Sequence, residues 1–228
     1  MSWINLLSLF RKDDLLTQSL QEAHQMLDLD LEMFEASVES LRRCDDGTVE
    51  LDVHKMDKLV NRAERDVRRK IMTHLVVSGP SDLPSGLALV NVVIDLERIG
   101  DYATDIFDLA RYHPKRLHGG PLEAEIADIE LRVADVFRRM ARTFKNNDVE
   151  AARGIMLEFK GKLAADCESV LRRIVAGEVA ELPAGDAATL ALYVRYLKRI
   201  GAHCRSVVSS LVNPFHRIGY KEKNEAGS

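Results

Sequence analysis

The stretch "DLERIGDYATDIFDLARYH", residues 95–113, is echoed by "YLKRIGAHCRSVVSSLVNP", residues 196–214. Both carry Arg-Ile-Gly inside an apolar run long enough for a helix, starting at Arg98 and Arg199, 101 residues apart. Yet the first has Glu97 and Asp101 where the second has Lys198 and Ala202. The repeat bears on the fold, and the missing acids bear on the chemistry.

Outward from these two segments, each echo is preceded by two further helical patterns. The first helix is expected from about Asp14 to Arg43, where Leu16, Leu20, Leu27, Leu31, Phe34, Val38 and Leu41 recur at helical spacing. The second runs from about Glu50 to Val77, with Val53, Met56, Val60, Ala63, Val67 and Ile71 on one stripe. Its outer face is basic, with Arg62, Arg65, Arg68, Arg69 and Lys70. The third runs from near Ser85 to His113, because Pro114 disfavours helix in the residue before it. A fourth is expected from Pro121 to about Lys145, a fifth from a cap at Asp148 to Ala176, and a sixth from a cap at Asp186 to Pro214. "CDDGT" with Gly47, "SGPSDLPSG", "HPKRLHGGP", "NND" and "GEVAELPAG" read as the breaks.

Long helices joined by short connections pack as up-down-up bundles. The expected fold is therefore all-α: two tandem three-helix bundles, six long helices in total, side by side with approximate two-fold internal symmetry. The boundaries are an apolar N-terminal segment at 1–13, a first repeat at 14–114, a second at 121–214 and a polar tail at 215–228. Gly100 and Gly201, each inside a helix, suit close backbone approach.

Composition agrees with helices, since aromatics are only 6% of the chain and Leu, Ala, Glu and Arg dominate. With 36 acidic against 32 basic residues the formal charge is −4, which lacks the basic footprint of direct nucleic-acid binding. Cys44, Cys167 and Cys204 are odd in number and far apart, the pattern of reduced thiols in a cytoplasmic protein. The apolar "WINLLSLF" at residues 3–10 is far short of a membrane span. It reads either as a first turn packed on the bundle or as a docking element for a membrane surface or partner.

Glu97, Asp101 and Asp105 follow at four-residue intervals and cover about 80° of one helix face, apart from the apolar stripe of Ile99, Tyr102, Ile106 and Leu109. Asp108 falls on the same face, and no cation is interleaved on that stripe. On the second helix Asp57, Asn61 and Glu64 lie beside the apolar stripe. Carboxylate and amide oxygens from two antiparallel helices can converge on a hard or borderline cation such as iron, manganese, zinc or calcium. The competing reading is a solvated acidic face. A shift of 101 residues turns Asp57, Asn61, Glu97 and Asp101 into Glu158, Lys162, Lys198 and Ala202. Any cation site is thus expected in the first unit alone, at most one site or cluster per chain.

Other chemistries find little support. Di-metal oxidoreductases of the four-helix kind use Glu-x-x-His pairs, and none of the histidines at 24, 54, 74, 113, 118, 203 and 216 has an acid three residues before it. His24 and His74 lie in helices and read either as ligands or, more simply, as polar helix edges. No Gly-x-Ser-x-Gly occurs, "SGPSDLPSG" lacks the phosphate-loop pattern, and His203 and Cys204 point about 100° apart on a helix. No enzymatic activity is expected.

"ERIGDYATDI" resembles the signature helix of the PhoU family of phosphate-uptake regulators, in which Glu-Arg-Ile-x-Asp recurs once per three-helix repeat. "DKLVNRAERDVRRKI" is similar to that family's second helix, and the resemblance extends over roughly residues 14–212. It implies paired three-helix bundles, often dimeric, with metal clusters, commonly iron or zinc, held by acid pairs. Glu97 and Asp101 match the signature pair, and Asp57 and Asn61 match the second-helix pair; Asp105 is added from periodicity. Lys162, Lys198 and Ala202 depart from the pattern in the second repeat. The family links a phosphate transporter to a sensor histidine kinase when phosphate is plentiful. The resemblance therefore implies a cytoplasmic homodimer acting on a membrane transporter or sensor kinase, alternatively an adaptor without metal for another ion transporter.

Overall fold

The computed structural model describes residues 14–45, 50–113 and 115–222. The apolar segment at 3–10, Gly47, Pro114 and the end of the polar tail at 223–228 lie outside the described residues. Among the described residues seven helices carry the fold: α1 Leu15–Arg42, α2 Val53–Ser78, α3 Leu83–Tyr112, α4 Glu123–Asn146, α5 Val149–Glu158, α6 Ala164–Val175 and α7 Ala184–Val212. Helical backbone continues from α5 into α6 through one π turn at Phe159–Leu163, so the six expected long helices are present with the fifth interrupted. A π turn inserts a residue into the ladder and rotates everything beyond it.

Capping residues set the ends. Asp14, Asp52 and Asp148 each accept a backbone N–H of the following first turn, from Leu16, Lys55 and Ala151. Asn147 takes the left-handed conformation, φ 53°, that closes α4. His113 is extended after α3, as a residue preceding proline must be.

Two expected breaks differ. "SGPSDLPSG" is not an open loop: a 3₁₀ turn at Pro80–Asp82 leads directly into α3, which begins two residues earlier than expected. Pro80 and Pro84 occupy first-turn positions where the missing N–H costs nothing. Asp82 is held by His74, whose Nε2 lies 2.8 Å from its carboxylate while Nδ1 lies 2.7 Å from Asp14. His74 is thus a buried bridge between the ends of three helices and not a polar edge. Asp186 likewise does not cap the last helix: Pro183 holds that place, and the Asp186 carboxylate lies 2.9 Å from His113 Nε2.

α1 packs on α2 and α3, and α4 and α5–α6 pack on α7, each set forming one bundle. The bundles join where α3 meets α7 and α1 meets α4. Leu16, Leu27, Phe34 and Leu41 of the expected α1 stripe are buried, with Leu20 and Leu31 at its margin. At the α3–α7 contact, Asp95 meets His203 and Tyr102 meets Tyr196. The same shift of 101 residues that takes Arg98 to Arg199 takes Asp95 to Tyr196 and Tyr102 to His203. It exchanges one contact for the other, as a two-fold axis between the bundles requires.

Candidate metal centre

α2 and α3 bring the expected acids together on one side of the first bundle. Asp57 and Asn61 are half-buried, and Asn61 Nδ2 donates to Asp57 Oδ2 at 3.0 Å. Glu97 and Asp101 lie one turn apart on α3 and are also half-buried. Burial raises the Glu97 carboxyl above its ordinary range, and Asp101, Glu64 and Asp57 raise it further against the opposing charge of Arg98. Asp101 is raised by burial and by Asp57, again against Arg98.

Arg98 corrects the expectation that no cation relieves this face. Its guanidinium reaches round from the neighbouring sector to within 3.6 Å of both Glu97 and Asp101. An arginine stem spans that distance although its Cα points elsewhere. Relief is partial, because both carboxyls remain raised.

Asp105 and Asp108 stand apart from the pair. Asp105 is exposed, and partial desolvation followed by the charges of Asp101 and Asp108 raises its carboxyl. Its charge also acts on Tyr196 of α7, so it faces the bundle junction. Asp108 is engaged with His54 at 3.1 Å, and Glu64 pairs with Arg68 at 2.7 Å.

Asp30 of α1 is the residue that the acidic pattern did not single out. It is fully buried, and neither carboxylate oxygen has a hydrogen-bond partner. Burial, then the charges of Asp57, Glu97 and Asp101, holds its carboxyl well above the usual carboxylate range. It lies against Gly100, where a Cβ would meet Asp30 Oδ1 at 2.9 Å and Val60 Cγ1 at 3.5 Å. Gly100 therefore accommodates a side chain and not the close backbone expected. A signal was present in the sequence: Asp30 sits three residues after Leu27 and four before Phe34, on the apolar stripe itself.

The second unit is different at each corresponding point. A shift of 103 residues carries the ten buried positions of α1 from Ala23 to Leu41 onto the ten buried positions of α4 from Ile126 to Phe144. Asp30 falls on Val133. Gly201 faces the Phe159 ring, brought in by the π turn, at 2.6 Å from where a Cβ would stand. Glu158 is paired with Arg139 and Lys198 with Glu168, while Lys162 is exposed.

Among the described residues, no three His, Cys, Asp or Glu side chains already stand grouped to hold a metal ion. What the first unit offers is a set of oxygen donors from three helices, mutually repelling, with one buried carboxylate lacking a partner. That donor chemistry fits a hard or borderline cation, which would have to draw the side chains together. No helix among the described residues is long and apolar enough to cross a membrane.

Residues 23–110, which include the whole acidic face, match the family model described as the PhoU domain. Over this stretch the chain is similar to the PhoU family. Curated PhoU relatives include a phosphate-specific transport system accessory protein PhoU homolog from Pseudomonas putida. It is 29% identical over 180 residues, covering 75% of this chain and 67% of the relative. A protein of the same description from Clostridium acetobutylicum is 25% identical over 187 residues, covering 77% of this chain and 80% of its own. PhoU from Pseudomonas aeruginosa has a solved structure that superposes with a TM-score of 0.78 at 22% identity, over 89% of this chain and 97% of that one. The PhoU fold therefore extends over both bundles, beyond the reach of the family model.

Proposed function

We propose that this chain is a non-enzymatic regulator of phosphate uptake that binds a transition-metal ion and docks, as a cytoplasmic homodimer, on a phosphate transporter or its sensor kinase. The match of residues 23–110 to the PhoU domain supports the reading, together with similar proteins named as accessory proteins of phosphate-specific transport systems. Glu97, Asp101, Asp57 and Asn61 are the residues that would hold the ion, iron or zinc. Asp105, exposed and turned toward the bundle junction, would serve at the margin of the site. The ion would supply positive charge to a face that otherwise repels itself, fixing α2 against α3. The second bundle, with Val133 and its paired Lys198 at the corresponding places, serves as scaffold.

The test is removal of the gene from its host, with phosphate uptake and a phosphate-responsive promoter followed in phosphate-replete medium. Loss of repression restored by the wild-type chain supports the reading. Unchanged uptake and signalling, with a changed response to another transported ion, would favour an adaptor for a different transporter.

A further inference from the structure

We infer that Asp30 is the interior ligand of the first unit's cation site, so that the site draws on α1 as well as on α2 and α3. This rests on the metal-binding reading proposed above and extends it to a residue outside the acidic pattern of the two helices.

The fold itself does not require an acid at this position. The matching place on α4 is Val133, fully buried in an otherwise equivalent helix, so an apolar side chain completes the same packing. A buried carboxylate with neither oxygen satisfied is costly and rare in a native interior. Here it is retained beside three other carboxyl groups that each disfavour its charge. An apolar residue would relieve all of this, and the second unit shows that one is tolerated.

Placement points the same way. The Asp30 carboxylate lies against Gly100 of α3, and Val60 of α2 approaches the same point of that helix. Asp101 directly follows Gly100 and Asn61 directly follows Val60, while Glu97 and Asp57 lie three residues before each, one turn along the same helices. Asp30 therefore reaches from inside the bundle toward the gap that the four candidate donors border from outside. Gly100 leaves the space that the carboxylate occupies, since any Cβ there would be 2.9 Å from Oδ1. In the second unit the same glycine position faces a phenyl ring, the buried acid is absent, and of the four outer donors only a carboxylate at Glu158 remains, paired with Arg139. The buried acid, its glycine and the four outer donors occur together in one unit, and in the other valine replaces the buried acid and three of the four outer donors are lost.

The experiment compares the full chain with Asp30→Val, the residue that the second unit uses, and with Asp30→Asn, which keeps the shape and removes the charge. Each protein is stripped with chelator, checked by circular dichroism, then dialysed to equilibrium against Zn²⁺ and, anaerobically, against Fe²⁺, with elemental analysis. The expected result is unchanged helicity in both variants, a metal-free melting temperature no lower than that of wild type for Asp30→Val, and at least about tenfold weaker metal binding in both. Gly100→Ala, which displaces the carboxylate, should weaken binding in the same direction. If both Asp30 variants bind as tightly as wild type, Asp30 is not a ligand, while the site on α2 and α3 stands. If wild type itself binds neither metal, the metal reading falls and this inference falls with it. Should Asp30→Val lose helicity, Asp30→Asn alone decides between these outcomes.

Discussion

His203 Nδ1 of α7 lies 2.9 Å from Asp95 Oδ1 of α3, and the pair sits almost fully shielded from water where the two bundles meet. Asn91 supplies a second contact to the same carboxylate at 3.2 Å. His203→Ala would leave Asp95 buried with one of its two partners. The expected cost is about 1–3 kcal/mol in urea denaturation, the penalty for a buried polar group that loses its bond. Asp95→Asn with His203 retained should cost less, since an amide can still accept from the ring. Equal stability of His203→Ala and wild type would show that the bundle junction does not depend on this contact.

Gly201 gives a second prediction. A methyl group there would stand 2.6 Å from the Phe159 ring, and a ring seated on a π turn has little room to withdraw. Gly201→Ala should destabilise by about 1–3 kcal/mol through overpacking. Phe159→Leu in the same chain should recover part of that loss, because it removes the atoms that clash. Additive losses in the double variant would place the strain elsewhere.

The helices and their pairing were legible because they rest on periodicity. Leu16, Leu27, Phe34 and Leu41 declare a buried face by spacing alone, and Arg-Ile-Gly at 98 and 199 declares the repeat. What spacing does not report is reach. Arg98 points into a neighbouring sector by its position on the helix, yet its guanidinium comes within 3.6 Å of Glu97 and Asp101. The π turn at Phe159–Leu163 was hidden for a related reason: an extra residue in the ladder leaves local helix propensity unchanged, and only the packing of Phe159 against Gly201 betrays it. "SGPSDLPSG" misled because Pro and Gly mark helix starts as readily as loops, and His74, whose bond to Asp82 fixes the turn, looked like a surface residue. Asp30 does not belong to a row of acids: its signal is a single acid on an apolar row.

Thiol chemistry follows from burial. The Cys167 thiol is pushed up to about 11, chiefly by burial, and Cys204 is raised well above its ordinary value by burial and by the charges of Asp30 and Asp95. At pH 8 about one Cys167 in a thousand is then thiolate, against roughly a quarter of an unperturbed thiol. Since the raised value favours the neutral thiol, reactivity should grow only as the pH climbs well past 8. Iodoacetamide at pH 8 should label the half-exposed Cys44 first and spare the other two until the chain is unfolded, as read by peptide mass mapping. Rapid labelling of Cys167 in the native protein would show that α6 opens far more readily than its packing implies.

The outer acids allow a test that separates chemistry from fold. Glu97 and Asp101 are each held above their ordinary range by burial and by neighbouring negative charge, so neither gains the native state much as an anion. Neither belongs to the apolar core, and α3 is anchored instead by Leu96, Ile99, Ala103 and Ile106, all fully buried. Replacing both acids by alanine removes like charges one turn apart and substitutes the best helix former. The double variant Glu97→Ala/Asp101→Ala should therefore keep the far-ultraviolet dichroism of wild type and a metal-free melting temperature within a few degrees of it. Elemental analysis after metal loading should show its stoichiometry fall from about one site per chain to none, since two of the four outer oxygen donors are gone. Undiminished metal in the double variant would move the site off the face of α2 and α3. Lost helicity with lost metal would mean instead that these acids hold α3 in place through Arg98, which lies 3.6 Å from each and would then be the residue to replace next.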